Sequence, residues 1–224
     1  MKAIFITGTD TGVGKTTVTT MLLKQLTQQG YSACGLKPIA SGSQVDPNGL
    51  LTNEDALLLQ AATPEKLPYQ TINPVTFKPP IAPHLAAKKI GTTLTTDFMI
   101  EKIHASIQPN LDVNLIEGAG GWTTPLNLTE RYSDVIIALK LPVILVVGMR
   151  LGCLNHTLLT YDNIQHSGLN LVGWIGNCID PTMDALVGNI ETLKAMLPAP
   201  CLGIVHYQND LTAPPTTMLN ISPL

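Results

Sequence analysis

The residues Gly8-Thr9-Asp10-Thr11-Gly12-Val13-Gly14-Lys15-Thr16 bring three chemical capacities together in one short stretch. The glycines let successive backbone N–H groups converge on one anion, Lys15 adds a full positive charge, and the Thr16 hydroxyl offers a hard oxygen to Mg²⁺. Such residues make a cradle for phosphates. The cradle needs a strand before it and a helix N-terminus behind it, and the flanking sequence supplies both. Ala3-Ile4-Phe5-Ile6 is an apolar run suited to a buried strand, while Val18, Met21, Leu22 and Leu26 recur at helical spacing. The loop is a variant, since Gly8 and Gly14 enclose five residues instead of the usual four and Thr9 stands where the first glycine is expected.

Three charged residues can serve the same centre. Lys37 precedes Pro38, which forces it toward extended geometry at the end of the apolar strand Ser32–Leu36, so its ammonium is expected to project above the sheet. There it can neutralise charge that develops during transfer of a γ-phosphoryl group. Glu117 closes the strand Val113–Ile116 and is followed by Gly118-Ala119-Gly120-Gly121, the position of a second metal carboxylate in phosphate-loop proteins. Asp55 falls in the first turn of a helix predicted over Glu54–Ala62, where an acid is favoured by the helix dipole. Thr16, Asp55 and Glu117 together would offer Mg²⁺ its oxygen ligands. Ser41 and Ser43 are either solvated hydroxyls or substrate contacts. Asn155, after Gly152-Cys153-Leu154, reads as the cap of a helix with no acid in its first turn, which either leaves room for an external anion or is a plain capped helix with nothing bound. Asn177, at the end of a late strand, either reads an adenine or belongs to a turn.

The elements that must carry these residues alternate along the chain. Helices are expected at Thr96–Ile107, Asp134–Leu139, Asn155–His166 and Met183–Met196, and strands at Val143–Val147, Leu171–Ile175 and Cys201–Val205. The alternation predicts an α/β architecture, a mostly parallel sheet with helices on both faces, as one domain over residues 1–224. Residues 39–53 read as a long loop, and the proline-rich stretch 64–93 as an irregular excursion over the sheet that could act as a lid. The tail from Asp210 carries no clear pattern.

Composition narrows the function. With 224 residues, 45% hydrophobic and 13% charged, the chain suits a globular domain with a sizeable core. A net charge of −3 offers no general basic surface for nucleic acid. Cys34, Cys153, Cys178 and Cys201 are far apart and form no zinc or redox spacing. No leader is visible and no run approaches the roughly 20 apolar residues of a membrane span, so the expectation is a soluble cytoplasmic protein with free thiols. HExxH and GxSxG spacings are missing, which leaves hydrolase readings without support.

The motifs GTDTGVGKT, GLKPIASGS, NEDALLLQ, NPVTF with PPIAPH, LIEGAGGWTTPL, LPVILVVG with LGCLNHTLLT, and GLNLVGWIGN resemble the dethiobiotin synthetase family in the same order and at similar spacing, across roughly residues 3–204. The resemblance implies a P-loop NTPase-like fold and an ATP-dependent ligase. Its reaction joins 7,8-diaminononanoate and CO₂ into dethiobiotin, releasing ADP and phosphate, by way of a carbamate and a carbamic-phosphoric anhydride. It also implies Mg²⁺ and a homodimer. Carried over by residue, catalytic roles fall on Lys37, Lys15 and Thr11. Nucleotide contacts fall on Gly12, Val13, Gly14, Lys15, Thr16, Thr17, Asp55, Glu117, Gly118, Ala119, Gly120 and Asn177. Metal ligands fall on Thr16, Asp55 and Glu117, and substrate contacts on Ser41 and, from across the dimer interface, on Gly152, Cys153, Leu154 and Asn155.

Two departures stand out: Gly12 replaces a glutamate of many members, and Val205-His206 replaces an Ile-Pro, which interrupts the carry-over at His206, Tyr207 and Gln208. A partitioning ATPase would carry a lysine early in the phosphate loop, where this chain has Thr9-Asp10-Thr11. A ligase for cobalamin-precursor carboxylates would carry an additional glutaminase domain, for which 224 residues leave no room.

Overall fold

The computed structural model describes residues 1–207, 217–222 and 224. In chain order its elements are β1 (Lys2–Gly8), α1 (Lys15–Gln28), β2 (Ala33–Leu36), β3 (Ile39–Ser41), β4 (Gln44–Val45), β5 (Leu51–Thr52), α2 (Glu54–Ala62), α3 (Tyr69–Ile72) and β6 (Val75–Phe77). There follow α4 (Pro83–Lys89), α5 (Thr96–Ser106), β7 (Val113–Glu117), α6 (Tyr132–Leu139), β8 (Val143–Met149), α7 (Cys153–His166), β9 (Leu171–Cys178), α8 (Leu186–Met196) and β10 (Cys201–Val205).

Six strands form one sheet in the order β10-β9-β8-β1-β7-β2, every pair parallel. Parallel strands need crossover helices, and the helices lie on both faces of the sheet. The central strands β7 and β8 are buried along their whole length, as expected for strands covered on both faces. The chain leaves β1 toward β2 on one side and later passes from β7 to β8 on the other, so β1 lies at the switch point. A crevice opens there beyond the carboxyl ends of the strands.

The core under this crevice is aromatic as well as aliphatic. Phe5 of β1 meets Tyr132 edge-on, with centroids 5.5 Å apart, and Trp122 at 6.3 Å. This packing explains Gly118 immediately after Glu117: a Cβ there would stand 2.7 Å from Phe5 Cζ.

Several expectations need correction. Residues 39–53 are not one loop, since they hold β3 and the β4–β5 ribbon. The 64–93 excursion contains α3, β6 and α4, and β6 pairs in parallel with β3. Tyr69, Ile72 and Phe77 are buried, so this stretch belongs to the body of the protein. Elements of two to four residues give no periodicity to read, and β3 and β6 are stabilised by each other across the intervening chain. In the tail, Leu219 and Ile221 are buried and the Asn220 N–H donates to the Leu202 carbonyl. His206 and Tyr207 are exposed after β10, and Gln208 lies outside the described residues.

Candidate functional site: a phosphate loop with a buried lysine and two carboxylates

The phosphate loop runs from the end of β1 into α1. Gly14 is the N-cap, with φ of +83°, a left-handed conformation that glycine adopts without a Cβ penalty. A Cβ at this position would also lie 2.0 Å from Asn177 Nδ2. No side chain caps α1 and its first turn holds no acid, so its first N–H groups face the loop free for an anion. Asn177 Nδ2 donates to the Val13 carbonyl at 2.9 Å, so this residue, expected at an adenine, buttresses the loop from β9. Lys15 Nζ folds back onto the carbonyls of Asp10 (3.0 Å) and Gly120 (2.6 Å). Burial, with Lys37 close by, lowers the Lys15 pKa to about 8. Phosphate oxygens would therefore meet a poorly hydrated ammonium. Thr11, Gly12 and Thr17 are exposed around the loop.

Beside the loop lies a buried charge cluster. Glu117 is fully buried, and its Oε1 accepts from Thr16 Oγ1 (2.7 Å) and from Lys37 Nζ (2.5 Å). Lys37 Nζ also donates to Asp55 Oδ2 at 2.9 Å and to the Gly118 carbonyl at 3.4 Å. Burial would depress the Lys37 pKa, but Glu117 and Asp55 outweigh it and hold the amine above its ordinary value. Asp55 shows the converse: its partial burial favours the acid, yet Lys37 keeps the carboxyl below the usual range. Lys37 and Asp55 are thus charged together.

Local sequence accounts for each placement. Lys37 sits between β2 and β3, where Pro38 offers no N–H. Asp55 lies in the first turn of α2, whose cap is Asn53 accepting from the Ala56 N–H. Glu117 is the last residue of β7 and pairs with Ile6 in the register with β1.

Hard oxygens from Thr16, Asp55 and Glu117 suit Mg²⁺. Glu117 Oε2 is buried and finds no partner among the described residues, as expected of an oxygen reserved for a ligand. The Lys37 ammonium here fills the cationic place between the two carboxylates. The donor set fits the ion.

Lys37 and Asp55 border a cavity of about 520 Å³ lined also by Thr11, Ser41, Asn53, Ala119 and Gly120, with Pro80 and Ile81 as an apolar wall. Ser41 Oγ is buried in it without a partner among the described residues. Ser43 Oγ is instead paired with Thr76 Oγ1.

The structure moves one predicted feature. Asn155 is not the cap of α7: the helix begins at Cys153, and Gly152, with φ of +92°, holds the N-cap position. The left-handed glycine turns the chain while the Cys153 N–H returns to the Arg150 carbonyl, so the helix starts earlier than a side-chain cap would indicate. Gly152, Cys153, Leu154 and Asn155 do not line the cavity of their own chain.

Other residues escaped the sequence reading. Arg150 joins Asp10 of the phosphate loop, Asn53 lines the cavity beside Ser41 and Asp55, and Tyr69 and Asn73 are hydrogen-bonded behind it. Asn53 had a signal, a cap residue just before a helix; the others are joined only by tertiary structure.

A phosphate loop at the switch point of a parallel sheet, with a strand-end carboxylate on its threonine, defines a P-loop nucleoside-triphosphate-binding protein. Residues 2–215 match the family model described as an AAA domain. The chain is 47% identical over 210 residues to the ATP-dependent dethiobiotin synthetase BioD of Pseudoalteromonas translucida, covering 94% of this chain and 92% of the relative. It is 45% identical to the enzyme of the same name from Cellvibrio japonicus, covering 100% and 97%. It is 44% identical to that of Pseudomonas aeruginosa, covering 100% and 98%. The chain belongs to the ATP-dependent dethiobiotin synthetase family.

Among solved structures it is similar to the septum site-determining protein MinD of Pyrococcus horikoshii, complexed with Mg-ADP. The TM-score is 0.55 at 18% identity over 91% of this chain and 80% of that one. The MinC:MinD complex of Aquifex aeolicus gives 0.51 at 16% identity over 93% and 82%. These likenesses concern the fold. No helix of the described residues is long and apolar enough to cross a membrane.

Proposed function

We propose that this chain, acting as a single cytoplasmic domain within a homodimer, converts 7,8-diaminononanoate, CO₂ and ATP into dethiobiotin, ADP and phosphate. The observation that carries the reading is the position of Lys37. It stands at the margin of a cavity that Thr11 of the phosphate loop also borders, charged, and in contact with both carboxylates expected to hold a metal. Family membership names the reaction, and the site has the groups that the reaction needs.

One amine of the substrate adds to CO₂, losing a proton and forming a carbamate. A carbamate oxygen then attacks the γ-phosphorus and ADP leaves, giving a carbamic-phosphoric anhydride. The second amine attacks the carbamoyl carbon, phosphate departs, and the amine proton is lost as the ring closes. Each phosphoryl-transfer reactant is an anion. Lys15 and Lys37 therefore lower the repulsion between them, and α1 directs its free N–H groups at the phosphates. Thr16, Asp55 and Glu117 would hold Mg²⁺, which when bound supplies further neutralisation of phosphate charge. Ser41 supplies a hydroxyl on the substrate side, beside Thr11. Pro80 and Ile81 exclude water from that wall. Asn177 serves the adenine end with the amide capacity it does not spend on Val13. The helix start at Gly152, Cys153, Leu154 and Asn155 receives the substrate carboxylate of the neighbouring subunit, which agrees with its place outside its own chain's cavity.

Incubation with diaminononanoate, bicarbonate and MgATP should give dethiobiotin by mass spectrometry, with one ADP per product. ATP hydrolysis without dethiobiotin would reject the reading.

A further inference from the structure

Lys37 leaves the sheet at a point where neither β2 nor β3 can satisfy its peptide groups. Instead its N–H donates to the Ile72 carbonyl at 2.7 Å, and its carbonyl accepts from Asn73 Nδ2 at 2.6 Å. Asn73 Nδ2 also reaches the Val75 carbonyl at 3.2 Å, and Asn73 Oδ1 accepts from the Tyr69 hydroxyl at 2.8 Å. That hydroxyl in turn accepts from the Asn53 N–H at 2.7 Å. Asn53 then makes two contacts of its own: Nδ2 donates to the Ser41 carbonyl at 3.2 Å, and Oδ1 caps α2, the helix that carries Asp55. Asn53, Tyr69 and Asn73 are all more than nine-tenths buried. The chain of contacts therefore runs from the backbone of Lys37 to the backbone of Ser41 and the helix start of Asp55.

We propose that Tyr69 and Asn73, with Asn53 at the edge of the cavity, are positioning residues for phosphoryl transfer, which hold Lys37, Ser41 and Asp55 in one mutual geometry; Tyr69 and Asn73 do so from outside the cavity. The proposal rests on the function proposed above. Satisfying a lone backbone N–H or carbonyl needs only one nearby partner. Here one tyrosine hydroxyl joins two separate segments, residues 37–41 and 53–55, that must supply groups to the same reacting centre. In a buried network a missing member leaves its partners unsatisfied and free to shift. A displacement on the order of 1 Å at the reacting centre costs roughly 10²-fold in rate. The phosphate loop lies on β1 and α1, outside this network, so the network reaches MgATP only through Asp55.

The test uses Tyr69→Phe, which removes only the shared oxygen. Its kcat should fall about 10- to 100-fold while the KM for ATP stays within about threefold of wild type. In a Lys37→Gln background the same change should cost little more, because it acts through Lys37. Hydrogen exchange should quicken in residues 36–41 and 52–57 and stay unchanged in residues 15–28. Asn53→Ser, which keeps a capping oxygen but cannot reach Ser41, should raise the KM for the diamine and not that for ATP. A kcat within twofold of wild type in Tyr69→Phe, or a loss that multiplies fully with Lys37→Gln, would overturn the proposal while leaving the enzyme's function intact. If wild type forms no dethiobiotin, the functional reading fails; unchanged exchange in Tyr69→Phe would then sink the network on its own.

Discussion

Arg150 Nη2 lies 2.5 Å from Asp10 Oδ2, fastening the turn that begins α7 to the phosphate loop. Asp10 is already engaged twice: its Oδ1 accepts from the Thr11 N–H and its carbonyl from Lys15 Nζ. Both side chains of the ion pair are part-exposed, 40% for Arg150 and 46% for Asp10, so the pair should matter for loop geometry more than for stability. Arg150→Ala is expected to change unfolding free energy by less than about 1 kcal/mol. It should raise the KM for ATP several-fold, an effect that shrinks as salt is added. An unaltered KM at low salt would show that Asp10 holds the loop without Arg150.

Lys37→Gln separates stability from catalysis. Removing the ammonium leaves Glu117 buried without its cationic partner, a change that typically costs about 3–5 kcal/mol. Mg²⁺ supplied with ATP should restore much of this loss, because the ion takes the place of the missing charge. Urea unfolding in chelator and in MgATP measures both values. Turnover should remain low even in saturating MgATP. If MgATP stabilised wild type and variant equally, Asp55 and Glu117 would not be the residues that hold the metal.

Subunit mixing tests the shared site. Leu154→Asp places an acid in the first turn of α7 and should repel a substrate carboxylate, raising the KM for the diamine with MgATP binding nearly unchanged. Combined with Lys37→Gln subunits, it should regain activity, since one of the two sites in each mixed dimer carries neither change. Mixed dimers verified by mass that stay inactive would exclude a site completed by the neighbour.

Cys34 gives an alkaline stability signature remote from the nucleotide. Burial, with a smaller contribution from Glu65, pushes its thiol up to about 12, whereas the unfolded chain ionises near the ordinary value of 9.0. Between those limits the folded state holds a proton that the unfolded state has released, so stability falls as pH rises, by about 1.4 kcal/mol per pH unit. Below pH 9 the thiol is neutral in both states and contributes no slope. Cys34→Ala should therefore flatten the decline between pH 9 and 11 in urea titrations. Parallel curves for the two proteins would mean that the thiol ionises freely in the fold.

Sequence by itself determined the phosphate loop, because glycine, lysine and threonine act within a few residues of one another and their strand and helix are contiguous. It also placed Lys37 and Glu117 at strand ends, since apolar runs stop where a strand meets solvent or a site. Only the tertiary structure decided that Lys37 touches both Glu117 and Asp55, for that depends on β7 inserting between β1 and β2. The same holds for Asn177, which reaches the loop from β9 across the sheet, and for α7, whose start follows a backbone turn at Gly152 and no side-chain cap. Tyr69 and Asn73 lie on and beside a single helical turn too short to have a period. Their role exists only because β3 and β6 pair, and pairing between strands more than thirty residues apart leaves no local signal to read.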